Sequence, residues 1–150
     1  MTNSNHDQNK QIVRDLFEKG FNGGHSEVLD RLVADDFAGA AGDRGPRAFQ
    51  QVMTRLRGAF PDLHYTLDDL LAEGDKVAVR WHWTGTHRGP FRTVPPTGRA
   101  VTNEGSAIFE LRGGKIVAAA LGTDRLGFLQ SIGVVPSDDG LFPPRLPEAG

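Results

Sequence analysis

A chain of 150 residues, 38% of them hydrophobic, can bury one compact core and is too short for two comfortable domains. A formal net charge of -2 with both signs interspersed lacks the clustered basic surface that nucleic acid demands. With no cysteine, disulfides, thiolate metal sites and cysteine nucleophiles are excluded together.

The opening residues, MTNSNHDQNK, are polar and carry no apolar run behind a basic start, and no segment approaches the roughly 18 apolar residues of a membrane span. The expectation is a soluble, unexported, cytoplasmic protein with no membrane partner. Ile12, Val13, Leu16 and Phe17 then recur at helical spacing, and GFNGG closes that helix with residues that tolerate positive φ. Val28, Leu29, Leu32 and Val33 mark a second short helix behind the turn and cap residues GGHS. In RGPRAFQQVMTRLRGAF, Gly45 and Pro46 suit a helix start, and Phe49, Val52, Met53, Leu56 and Phe60 fall on one face, predicting a core-facing helix over 46–60. Pro61 ends it.

The period then changes to two. HYTLDDLLAEG, DKVAVRWHWTGTH, RAVTNEGSAIFELRGG and KIVAAALGTD read as four extended runs, with AEGD and RGGK short enough for hairpin turns. RGPFRTVPPTGR holds three prolines, cannot lie within a ladder, and is a loop between the second and third runs. Helices followed by an antiparallel meander make an α+β domain over 1–135, with DFAGAA as a possible edge strand. The Pro-rich remainder, 136–150, reads as an irregular tail.

These elements, in this order, resemble a known family. AFPDLHYTLDDLLAEGDKVAVRWHWTGTHRGPF, VPPTGRAVTNEGSAIFELRGGKIV and DRLGFLQSIG are similar to the SnoaL-like polyketide cyclases of the nuclear-transport-factor-2-like superfamily, from about residue 10 to residue 133. The resemblance implies a conical barrel, a curved, mainly antiparallel sheet wrapped over three N-terminal helices. It also implies an apolar pocket open at one end, and a homodimer. For function it implies a cofactor-independent cyclase or isomerase of a polyketide-like carbonyl compound. Two alternatives share the fold: a non-catalytic binder of a small apolar ligand, and an epoxide hydrolase.

The family's acid/base aspartate stands at the end of the last strand before a Leu-Gly-Leu-Leu type helix, and Asp124 in TDRLGFLQ matches that position. Strand alternation groups Asp124 with Ile116, Ala118, Ala120 and Gly122, so no other charge shares its face. A carboxylate buried in an apolar cone becomes a stronger base, suited to abstracting an activated C–H proton. The same aspartate is also a natural N-cap for the following helix, and the two roles are compatible. Where relatives carry larger or polar residues, ALGTD offers Ala120, Leu121, Gly122 and Thr123, and DDFAGAAG lacks an Asn-His pair found in many of them.

Other polar candidates depend on which strand face points inward. His82 lies between Trp81 and Trp83. On the concave face it could polarise a substrate carbonyl; on the other it belongs to a dimer seam. The tryptophans are core or pocket wall. Asn103 and Glu104 alternate, as do His64 and Tyr65, so one of each pair faces inward; Asn103 and Tyr65 are taken as substrate-binding candidates. His87, in GTHRGPF, matches a family landmark and is either a ligand contact or a loop anchor. The five histidines, at 6, 25, 64, 82 and 87, include no i, i+4 pair, so no metal is expected, and an enolate stabilised by a polyketide-like substrate itself would need no cofactor.

Overall fold

The computed structural model describes residues 2–40 and 42–136. Four strands, β1 (His64–Glu73), β2 (Lys76–Thr86), β3 (Ala100–Arg112) and β4 (Lys115–Thr123), form one curved antiparallel sheet in the order β1-β2-β3-β4. Two of its three connections are minimal. Gly113 and Gly114, at φ 58° and 78°, turn the chain between Arg112 and Lys115, a two-residue hairpin in which both central residues need the left-handed region. Gly74 and Asp75 make a second two-residue turn between Glu73 and Lys76, in which Gly74 alone, at φ 59°, takes the left-handed region. The third connection is the loop 87–99. Its ends are stitched as a continuation of the ladder, His87 N–H donating to Arg99 O at 2.9 Å and Gly98 N–H to His87 O at 2.8 Å.

The helices cover one face, which is the concave one. α1 (Thr2–Asp15) runs without a break into a π-helical stretch, Leu16–Asn22, that buries Leu16, Phe17, Gly20 and Phe21. Its end is held from α3 (Arg47–Ala59), where Arg57 donates to the carbonyls of Phe21 and Asn22. α2 (Ser26–Leu32) packs so closely on it that a Cβ at Gly20 would stand 2.9 Å from Leu29 Cδ2. Asn22 then pairs with the first strand like an extra ladder residue, donating to Tyr65 O at 2.9 Å and accepting from Tyr65 N–H at 2.7 Å. A short α4 (Arg125–Ser131) follows the sheet. Among the described residues no helix is long and apolar enough to cross a membrane.

Burial alternates along the central strands as a half-covered sheet requires: Val77, Val79, Trp81 and Trp83 of β2 and Val101, Ala107, Phe109 and Leu111 of β3 are buried. Facing them, Phe17 meets Tyr65, Trp81 and Phe109 at ring separations of 5.5, 5.3 and 6.3 Å. α3 contributes less than its stripe suggests. Phe49 and Ala59 are buried and Met53 and Leu56 pack on the core, but Val52 is 43% exposed, because it stands at the edge of the stripe beyond the sheet. Among the described residues of DFAGAA there is no strand; Ala38 and Arg44 make an isolated bridge. The tail expected over 136–150 lies outside the described residues from 137 onward.

Gly105 is the residue opposite Trp81, and a Cβ there would lie 2.6 Å from Trp81 Cζ2 and 2.8 Å from Gly122 O. Gly105→Ala must therefore displace both an indole and a neighbouring strand. Thermal or denaturant unfolding should show a loss of about 1–3 kcal/mol, and an unchanged midpoint would mean that the indole does not lie across this glycine.

Candidate functional site

Side-chain direction along β4 is set by a bulge. Leu111 pairs with Ile116 but Glu110 with Ala118, so Val117 is an extra residue and the alternation shifts by one after Ile116. Ile116, Ala119, Leu121 and Thr123 consequently face the concave side, while Ala118, Ala120 and Gly122 face out. This corrects the simple alternation, which grouped Ile116 with Ala120. Beyond Ala119 the helices no longer cover the concave face: Leu121 is 57% exposed and Thr123 is exposed, although each pairs with an inward residue of β3, Ala107 and Gly105. Asn103, half-buried and opposite Trp83, belongs to the same face, and Glu104 to the outer one. The candidate site is this uncovered strip, floored by Leu121, Thr123 and Asn103 and bordered by α4.

Asp124 stands where β4 turns into α4. Its N–H donates to Glu104 O at 3.0 Å, and its Oδ1 accepts from Gly127 N–H at 2.9 Å, so the capping role is realised. A Cβ at Gly127 would come within 3.0 Å of both carboxylate oxygens, so the glycine makes room for the cap. The expectation of a carboxylate buried in an apolar cone is not met. Asp124 is exposed, because α4 turns away from it and only the helix N-terminus approaches.

The aromatic candidates are interior. Trp81 and Trp83 are buried, as is Tyr65, whose phenol is pushed well above its ordinary value by burial and so stays neutral. Trp83 joins Phe60 and Phe128 in a cluster with ring separations of 4.9 to 6.0 Å, which ties α4 to the sheet. His87 is 0% exposed and packs on Phe60; Thr97 N–H donates to its Nδ1 at 3.3 Å and Thr97 Oγ1 lies 3.0 Å from the same atom. In this structure it anchors the loop 87–99.

His82 faces out, on the convex side, with Arg80 and Thr84. Its Nδ1 donates to the Asp68 carboxylate at 3.0 and 2.8 Å, and Asp68 reaches it because a bulge makes it the extra residue between Leu67 and Asp69. The structure thus does not bring His82 together with the tryptophans or the uncovered strip. Nearby on the same outer face, a shallow hollow of about 540 Å³ is lined by residues including Leu71, Ala78, Arg80, Ser106, Ile108 and Gly122. No sequence signal anticipated it, since its floor is made by small residues from three strands. Among the described residues no group of His, Cys, Asp or Glu could hold a metal ion.

One further carboxylate secures the end of β2. Asp62 accepts from Thr86 N–H at 2.7 Å and from Thr86 Oγ1 at 2.8 Å, and these bonds, the backbone one first, hold it below its ordinary value of 3.8. A carboxylate lowered in the folded state stabilises it above the unfolded value, and that contribution disappears as pH falls through the folded one. The stability difference between the native chain and Asp62→Asn should therefore shrink below about pH 4, as read by urea titrations at successive pH values; a constant difference would show that Thr86 does not favour the charged form.

Comparison with known proteins agrees with the fold. Residues 11–132 match the family described as SnoaL-like polyketide cyclase. A candidate SnoaL-like polyketide cyclase from Jannaschia sp. CCS1 is 27% identical, with a TM-score of 0.76 over 87% of this chain and 95% of that one. IdmH, a candidate polyketide cyclase from Streptomyces antibioticus, is 32% identical, with a TM-score of 0.73 over 84% of this chain and 99% of that one. TsrD from Streptomyces laurentii is 26% identical, with a TM-score of 0.79 over 86% and 97%. No curated protein matches the chain.

Proposed function

Because the chain belongs to the SnoaL-like polyketide cyclase family, we propose that it closes a ring in a polyketide-like carbonyl compound by acid/base chemistry without a cofactor, with Asp124 as the base. The observation that carries this reading is the state of that carboxylate. One oxygen is tied to Gly127 N–H, which fixes its direction, and Oδ2 makes no hydrogen bond among the described residues. It stands at the end of the uncovered strip formed by Leu121, Thr123 and Asn103.

Exposure in the free protein fits such a base. A bound apolar chain lying on the strip would displace water from Asp124, and the loss of solvation would strengthen it as a base only when substrate is present. The carboxylate then takes the proton from a carbon between two carbonyls, leaving an enolate that the substrate itself delocalises. That carbon attacks a second carbonyl carbon in the same chain, forming the C–C bond, and the resulting alkoxide recovers the proton from the Asp124 carboxyl. Holding the chain folded over Leu121, Thr123 and Asn103, with buried Trp83 behind them, supplies the proximity the ring closure needs. Tyr65 and Trp81 support this wall from within, and His87 supports it through the loop it anchors.

Asp124→Asn keeps the cap, since asparagine is an equally good capping residue, and removes the base. In deuterium oxide, exchange of the activated C–H of a 1,3-dicarbonyl substrate, followed by NMR, should slow by about 100-fold to 10,000-fold at unchanged thermal stability. Exchange at the native rate would leave Asp124 a cap only and favour a ligand-binding role.

We also propose that two copies pair through the convex face. Leu71 and Ile108, 68% and 50% exposed, border the small-residue hollow there, and the helices lie on the opposite side of the sheet. His82 and Asp68 would then belong to the seam. Ile108→Glu should convert a dimer burying at least about 1,000 Å² into a monomer in light scattering, and a native chain that is monomeric at all concentrations would remove the proposal.

A further inference from the structure

The loop 87–99 is a built structure. His87 is sealed at its base, Arg88 N–H and Gly89 N–H both donate to Ala59 O, and Gly89 lies so close to Gly58 O that any side chain there would collide. At its tip Phe91 and Val94 exchange backbone hydrogen bonds of 3.0 and 2.9 Å across Arg92 and Thr93, a two-residue turn. Arg92 has φ 53°, the sole positive φ outside glycine among the described residues. The first central position of such a turn is ordinarily glycine, and a long side chain there is strained.

The strained residue is held in a definite place. Its guanidinium lies over the Phe91 ring, 5.8 Å from the centroid, and that ring packs on Phe128 of α4 at 5.0 Å. Phe128 also meets Trp83 edge-on, so the tip of the loop and the start of α4 close the same end of the sheet. Acidic groups flank this end, Asp62 beside Arg88 and Asp124 at the cap of α4, but the loop itself carries only cations. The loop and the first residue of α4 carry Arg88, Arg92, Arg99 and Arg125, all exposed, and none makes an ion pair among the described residues. No acidic residue lies between 87 and 99, in a chain whose net charge is -2.

We propose that Arg92 is a specificity residue for a carboxylate carried by the substrate, which the guanidinium binds in forked fashion at the rim while the apolar body lies on the strip beside Asp124. The inference rests on the cyclase reading for the location of the strip and adds the chemical class of the ligand: a free acid, in preference to its ester. A planar fork of donors, weakly hydrated and stacked on an aromatic ring, matches a carboxylate better than an ammonium would. It also accounts for an arginine at a turn position that favours glycine. Arg88, Arg99 and Arg125 add a positive field that attracts the anion without contacting it.

The test uses anthraquinone-2-carboxylate and its methyl ester as probes, with binding followed by equilibrium dialysis. The acid should bind the native chain about tenfold more tightly than the ester, and the advantage should fall as salt rises. Arg92→Asn keeps a residue that accepts positive φ and removes the fork. It should bring acid and ester within about twofold of each other, leave ester binding unchanged and leave the melting temperature equal or higher. Arg92→Gly, the residue ordinary for this turn, should repeat the loss, so the result does not depend on one variant folding. Equal binding of acid and ester by the native chain overturns the proposal while the cyclase reading stands, as does an acid preference that survives both substitutions. Failure of both probes to bind strikes the uncovered strip, and with it both readings.

Discussion

Everything at the candidate site depends on the register in which β2 lies against β3. Pairing Trp81 with Gly105 and Trp83 with Asn103 places two indoles on the concave face, one over a residue with no side chain and one beside a polar residue. A slip of one residue would turn His82 and Arg80 inward and both tryptophans out, exchanging an apolar wall for a charged one. The register is held by alternation itself: Val77, Val79, Trp81 and Trp83 bury together only in this frame, against Phe17 and Phe109. Gly105 makes that frame sterically possible.

From this wall the structure builds outward in two directions. Trp83 and Phe60 bind Phe128, which seats α4, and α4 in turn receives Phe91 from the long loop. The polar chain runs in parallel: Asp62 fixes Thr86, His87 fixes Thr97, and the carbonyl of Glu104 fixes the backbone of Asp124. Two sequence-distant segments, a loop between strands and a helix after them, thereby become one rim. An isolated helix of seven residues would be marginal in water. Here its cap, its phenylalanine and its position are all supplied by the sheet.

The two faces of the sheet divide the chemistry. The inner one is aromatic and, near the end of β4, uncovered. The outer one carries the Asp69–Arg80 ion pair and the Asp68–His82 hydrogen bond around a hollow of small and aliphatic residues. β-bulges at Asp68 and Val117 enforce the division. Each adds one residue on one strand only, bends the sheet, and changes which side chains look inward beyond it.

Much of this was legible in the sequence by itself. The change from helical period to period two located three helices and four strands, and glycine pairs located the hairpins, because backbone geometry obeys local rules. The order of landmarks around residues 60–133 indicated the family and pointed to Asp124. The sequence also left open which of Asn103 and Glu104, or His64 and Tyr65, faces inward, since alternation defines two faces without saying which one the helices cover. Three things were decided by the tertiary structure alone. Asp124 is exposed, because burial depends on where α4 lies. The side-chain parity of β4 is shifted, because a bulge arises from pairing between strands and leaves no mark on one strand's pattern. His82 meets Asp68 and His87 meets Thr97, because those contacts join residues that only the fold brings within reach. Local periodicity is a property of the chain; the side from which water is excluded is a property of the packed molecule.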